Sequence, residues 1–121
     1  MKRQGLQLAL AAQAASVVLW ALLPQASFAG AQAVPPTGLE LGKQVFTQRA
    51  SPACAVCHAL RDAGSEGAIG PALDELKPDA ARVTKAVRNG IGVMPAFKDK
   101  LTDAEIEAVS SYVASASRSP P

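Results

Sequence analysis

Both cysteines and the single histidine of this chain fall in one pentapeptide, Cys54-Ala55-Val56-Cys57-His58. On helical backbone Cys54 and Cys57 lie about one turn apart, and His58, at i+4 from Cys54, projects from nearly the same face. One turn can therefore carry two thioether bonds to a porphyrin edge and aim an imidazole at its iron. CxxCH is the haem-attachment pattern. Three other chemistries use parts of this set. Two cysteines in an oxidising compartment can form a disulfide, a CxxC pair exchanges disulfides in thioredoxin-like proteins, and zinc takes both residue types. A disulfide or a redox pair leaves His58 unused, and the redox pair also needs a βαβ sheet. Structural zinc needs four ligands where three good ones exist. One covalent haem c with its iron is the expectation, and a simple disulfide is the alternative.

A second axial ligand has few sources. There is no other histidine, and the two methionines are Met1 and Met94. A thioether is a soft, weak axial ligand that favours ferrous iron and raises the potential relative to two imidazoles. Pro95 biases Met94 towards extended backbone, which helps hold a presenting loop in one geometry. The competing reading of a lone methionine is a filler of core gaps.

The elements that must position these residues follow from periodicity and punctuation. Met1-Lys2-Arg3 precedes an uncharged run from Leu6 to Leu23, then Pro24 and small residues. This is the pattern of a signal peptide over residues 1–29, with cleavage after Ala29 or Ala31. An uncleaved anchor is the alternative, because a bilayer core takes roughly 20 apolar residues. Residues 30–36 form a linker of small residues and proline, 37–117 the folded domain, and 118–121 a disordered tail. Removing Lys2 and Arg3 leaves ten basic residues against ten acidic ones. A neutral mature chain without basic-aromatic interleaving gives no reason to expect nucleic acid as a partner, and a membrane partner is expected only if the leader is retained.

Within the domain, Thr37 and Glu40 form a capping box, and Leu39, Gly42, Val45 and Phe46 fall on one helical face. Pro52 should end that helix near Ala50. Residues 59–77 are Gly-rich and read as loop, with one turn around Ala72 to Leu76. A helix starts at Pro78-Asp79, burying Val83, Ala86 and Val87, with Arg82, Lys85 and Arg88 opposite and a stop at Asn89-Gly90. A second capping box, Thr102 to Glu105, opens a helix carrying Ile106, Val109, Tyr112 and Val113. No segment sustains period-2 alternation, so the fold class is all-α, with three to four short helices. So small a domain has a limited core of its own. A large covalent prosthetic group would serve as its centre.

Cys54-Ala55-Val56-Cys57-His58, then Gly70-Pro71-Ala72-Leu73, then Met94-Pro95-Ala96-Phe97, in this order, resemble a class I cytochrome c from Thr37 to Ser117. The resemblance implies the small cytochrome c fold around one covalent haem, attached after export, and an electron passed to and from the iron. It implies a methionine from the C-terminal half as the second axial ligand, which is Met94 here. It also implies that the Pro71 carbonyl accepts a hydrogen bond from His58 Nδ1; a proline after glycine is also an ordinary loop pairing. Leu73 and Phe97 would pack on the haem, or be ordinary core. Gly42 and Phe46 would cross Val109 and Tyr112 where the first and last helices meet. Only 36 positions separate His58 from Met94, which implies a compact bacterial form. The Ser51-Pro52 break leaves the path into the pentapeptide open.

An iron with two protein ligands has no free site for substrate, and no Ser/His/Asp set or carboxylate pair stands beside the motif. The expected function is therefore electron transfer rather than catalysis. Partners would be redox proteins: a periplasmic dehydrogenase, reductase or oxidase, met by a monomer or by a small subunit of a complex. The CAVCHAL, GPALDEL and MPAF stretches are also similar to cytochromes paired with sulfite-oxidising enzymes, so a subunit or dedicated acceptor of an exported dehydrogenase is a second reading. A third is a ligand-binding or peroxidatic haem protein in which Met94 is displaced. Residues 82–100 carry Arg82, Lys85, Arg88, Lys98 and Lys100 against Asp99, a net charge of +4 flanking Met94. Either this rim steers an acidic partner, or it is a solvated face.

Overall fold

The structure, a computed structural model, describes residues 37–120. The expected signal peptide and linker lie outside the described residues. Helix α1 (Gly38–Gln44) opens with the capping box: Thr37 N–H donates to Glu40 Oε2 at 2.9 Å and Glu40 N–H to Thr37 Oγ1 at 3.4 Å. It runs on as a single π turn over Val45–Arg49 and stops where Ala50 becomes extended, two residues before Pro52. The chain then turns through Ser51 to Ala53 before a separate one-turn helix, α2 (Cys54–Cys57). The first helix thus does not run into the CxxCH motif.

From there the chain departs from the expected loop. Strand β1 (His58–Leu60) pairs antiparallel with β2 (Ser65–Ala68), matching His58 to Ala68 and Leu60 to Ser65, with an irregularity after His58. A short 3₁₀ turn, Arg61–Ala63, joins them and closes on Gly64 at φ +61°, in the left-handed region that glycine enters without strain. Strands of three and four residues are too short for alternation to be read, and Leu60 is the only fully buried residue in them. The fold remains predominantly helical.

Helix α3 (Leu73–Leu76) is the single turn expected near Ala72 to Leu76, and α4 (Ala80–Asn89) starts at Asp79, whose carboxylate accepts from Arg82 N–H at 2.7 Å. Helix α5 (Asp103–Ala116) carries the second capping box and buries Ile106, Val109, Tyr112 and Val113. Arg118, placed in the tail by the sequence, donates to the carbonyls of Lys77 and Pro78 at 2.7 and 2.8 Å, tying the end of α5 to the start of α4.

The core forms where α1 crosses α5. A Cβ built on Gly42 would lie 2.5 Å from Tyr112 Cβ and closer still to the Ala108 carbonyl oxygen, so only glycine lets the backbones approach this far. Phe46 meets Tyr112 edge-on at 6.0 Å. Leu39 is an exception to the predicted face: it is 49% exposed and lines a surface depression with Glu107, Ala108 and Ser111 of α5. Leu41 packs on the core instead.

Candidate metal centre

The three parts of the sequence that could do chemistry meet at one cavity of about 680 Å³. That is within the roughly 300–1,000 Å³ of sites that enclose small organic molecules. Helix α2 contributes Cys54 and Cys57, the next residue contributes His58, and the loop after α4 contributes Met94. Val83, Ala86 and Val87 form the α4 wall, so the stripe read from periodicity faces this cavity as well as the core.

His58 is held by Gly70 and Pro71. Its Nδ1 lies 2.9 Å from the Pro71 carbonyl oxygen. A carbonyl can only accept, so Nδ1 carries the proton and Nε2 keeps a free lone pair. The neighbouring Gly70 also packs on the ring, where an added Cβ would stand 2.7 Å from Nδ1 and 2.9 Å from Nε2. Gly67 is equally close to the backbone, its would-be Cβ lying 2.6 Å from His58 N. The hairpin thus carries His58 and lets the following segment press against the ring.

No disulfide joins Cys54 and Cys57. Burial pushes the Cys54 thiol up to about 11, with a smaller upward push from Cys57. Before any thioether forms, this thiol thus lacks the low pKa of redox-exchange cysteines. Among the described residues no cluster of three or more His, Cys, Asp or Glu is placed to hold a metal ion. The cavity offers a bare cation little beyond one imidazole, and this donor set fits an iron whose equatorial ligands belong to a macrocycle.

Met94 ends a tight turn. Ile91 N–H donates to the Met94 carbonyl at 3.1 Å and Met94 N–H to the Ile91 carbonyl at 2.9 Å, with Gly92 at φ +56° between them. Gly90, at φ +72°, lies so close that a Cβ there would be 2.5 Å from the Met94 carbonyl oxygen. Phe97 N–H donates to the Val87 carbonyl at 2.8 Å, anchoring the loop to α4. Leu73 and Phe97 are 7% and 3% exposed, and both line the cavity while belonging to the core. The two readings left open for them are compatible.

Sequence reasoning did not place several of the lining residues there, Phe46, Val109, Val113 and Arg82 among them. Phe46 reaches the cavity from the π turn although its spacing marked it only as helix-crossing core. Arg82 was placed with Lys85 and Arg88 on the outer face of α4, yet it lines the cavity beside Val83 and one turn before Ala86. The i to i+4 relation to Ala86 was the available signal.

Residues 37–113 match the family described as "Cytochrome C oxidase, cbb3-type, subunit III". The chain belongs to this family of c-type cytochromes. It is 38% identical over 85 residues to cytochrome c6 of Bryopsis maxima, an alignment covering 62% of this chain and 88% of that one. Cytochrome c6 of Bumilleriopsis filiformis is also 38% identical, over 88 residues and 92% of its length. Among solved structures, the crystal structure of the c-type cytochrome SorU from Sinorhizobium meliloti is 56% identical and superposes with a TM-score of 0.64, covering 66% of this chain and 91% of that chain. The cytochrome is of the small class I kind, its cofactor is covalently bound haem c with iron, and it is an electron carrier rather than an enzyme. No described helix is long and apolar enough to cross a membrane.

Proposed function

We propose that the cytochrome is an exported, periplasmic one-electron shuttle in which Cys54 and Cys57 would hold the haem covalently and His58 Nε2 and the Met94 thioether would ligate its iron. The observation that carries this reading is the convergence of a free Nε2 lone pair and the chain's one internal methionine on the same apolar cavity. Haem c supplies an Fe(III)/Fe(II) couple. The Pro71 carbonyl fixes the tautomer and orientation of His58. The Ile91–Met94 turn presents the thioether, and Leu73 and Phe97 exclude water from the site. A weak thioether ligand in a dry site favours the reduced state. Export is supported by the leader pattern of residues 1–29, and so is the periplasm as the compartment.

The visible spectrum of the purified protein in both redox states tests covalent haem c, low-spin iron and methionine ligation together. A colourless product from a host competent in haem attachment would end the reading, and carbon monoxide binding to the ferrous protein would remove Met94 from the iron. A second reading, supported by the CAVCHAL, GPALDEL and MPAF stretches, makes the cytochrome the dedicated acceptor or small subunit of an exported dehydrogenase, of sulfite-oxidising type. Copurification with a larger molybdenum or flavin protein separates it from a free shuttle.

A further inference from the structure

We propose that Arg82 binds a propionate of the haem, an assignment that rests on the haem reading above. Arg82 is the one ionised side chain among the described residues that line the cavity. It is also the only arginine there whose guanidinium has no partner among the described residues. Arg49, Arg61 and Arg88 pair with Glu105, Asp74 and Asp103, and Arg118 donates to backbone carbonyls. Its backbone N–H is held by the Asp79 cap at the start of α4, and the residue, exposed to solvent, lines the cavity next to Val83 and one turn before Ala86.

The chemistry of the group explains why an arginine should stand there. A haem macrocycle carries two propionate carboxylates, and a carboxylate set against apolar walls loses water and must be paired. A guanidinium meets a carboxylate through two parallel N–H···O bonds, which a lysine cannot reproduce. Lys85, also exposed on α4, does not line the cavity and serves as the control for charge alone.

The test is a redox titration of the purified holoprotein, followed by its visible spectrum, for wild type, Arg82→Gln, Arg82→Lys and Lys85→Gln. A cation beside the iron disfavours the ferric state, so Arg82→Gln is expected to shift the redox equilibrium about three- to tenfold towards ferric, tenfold being 59 mV for one electron. Arg82→Lys, which keeps the charge without the fork, should fall between wild type and Arg82→Gln, and Lys85→Gln should shift it less than half as far as Arg82→Gln. The Arg82→Gln shift should persist at about 0.5 M salt, because a partly enclosed pair is screened less than a surface charge. An unchanged potential in Arg82→Gln, an equal shift in Lys85→Gln, or a shift abolished by salt overturns the assignment. Should Arg82→Gln fail to mature, Arg82→Lys decides alone: a displaced potential supports the fork, and the wild-type value refutes it. A wild-type protein lacking covalent haem would remove the underlying reading instead.

Discussion

Replacing Gly42 with alanine puts two opposed effects on one methyl group. Alanine is the better helix former by about 1 kcal/mol, so an isolated α1 would gain. At the α1–α5 crossing, however, the added Cβ would lie 2.5 Å from Tyr112 Cβ and closer to the Ala108 carbonyl oxygen. Neither neighbour is the free end of a flexible side chain, so the helices must separate by several tenths of an ångström. A gap of about 0.5–1 Å forfeits a quarter to a half of each dispersion contact along the seam. Overpacking of this kind typically costs about 1–3 kcal/mol. Contacts this short place the cost in the upper part of that range, about 2–3 kcal/mol, so we expect a net loss of about 1–2 kcal/mol after the propensity gain, hence a fall in Tm of about 4–16 °C for a domain this size. Gly38→Ala is the internal control, since a Cβ there meets nothing within 4 Å. It lies in the first turn of the same helix and should be neutral or stabilising by up to about 1 kcal/mol. Thermal and urea unfolding of the holoprotein, followed by far-ultraviolet circular dichroism, measures both. A Gly42→Ala protein as stable as Gly38→Ala would refute the close crossing and the account of why glycine stands there.

Three further outcomes follow from the site and its supports. Gly70→Ala should push the His58 ring off its Pro71 contact and convert the iron to an open form, seen as a changed spectrum and carbon monoxide binding to the ferrous protein; an unaltered spectrum would contradict the packing at Gly70. The Tyr112 hydroxyl, donating to Asp62 at 2.6 Å, and Lys43 beside it hold the Asp62 carboxyl below its ordinary 3.8. Its contribution is therefore present above about pH 4 and lost as pH falls through the lowered folded value. Tyr112→Phe should flatten that acid limb, and an unchanged profile of stability against pH would count against the bond. Reversing Lys98 and Lys100 to Glu should slow reduction by a native donor at low ionic strength. If the basic flank is only a solvated face, both the rate and its salt dependence will stay as in wild type.

Local rules made much of the domain legible. Both capping boxes formed at Thr37 and Thr102 because each needs only residues three apart, and Pro52 and Gly90 ended helices for reasons internal to the backbone. The β1–β2 hairpin was not legible, since its strands are too short to show a period and its register depends on Gly67 packing against the backbone at His58. Leu39 misled because periodicity gives a helix face but not how far the partner helix extends to cover it.

By itself the sequence determined the chemistry: which residues can attach a porphyrin, that His58 and Met94 are the side chains suited to flank an iron, and that no nucleophile and base stand beside the CxxCH motif. Which side chains are candidates for an iron is a property of residue type and spacing, so one dimension suffices to nominate them. The resemblance already implied Pro71 as the partner of His58 Nδ1, and the structure puts the two 2.9 Å apart; only the tertiary structure decided that Leu73 and Phe97 are core and lining at once and that Arg82 reaches the cavity. Those are statements about which surfaces meet. The press of Gly70 against the His58 ring is of the same kind, since the missing Cβ makes room for a neighbour that the pattern along the chain does not name.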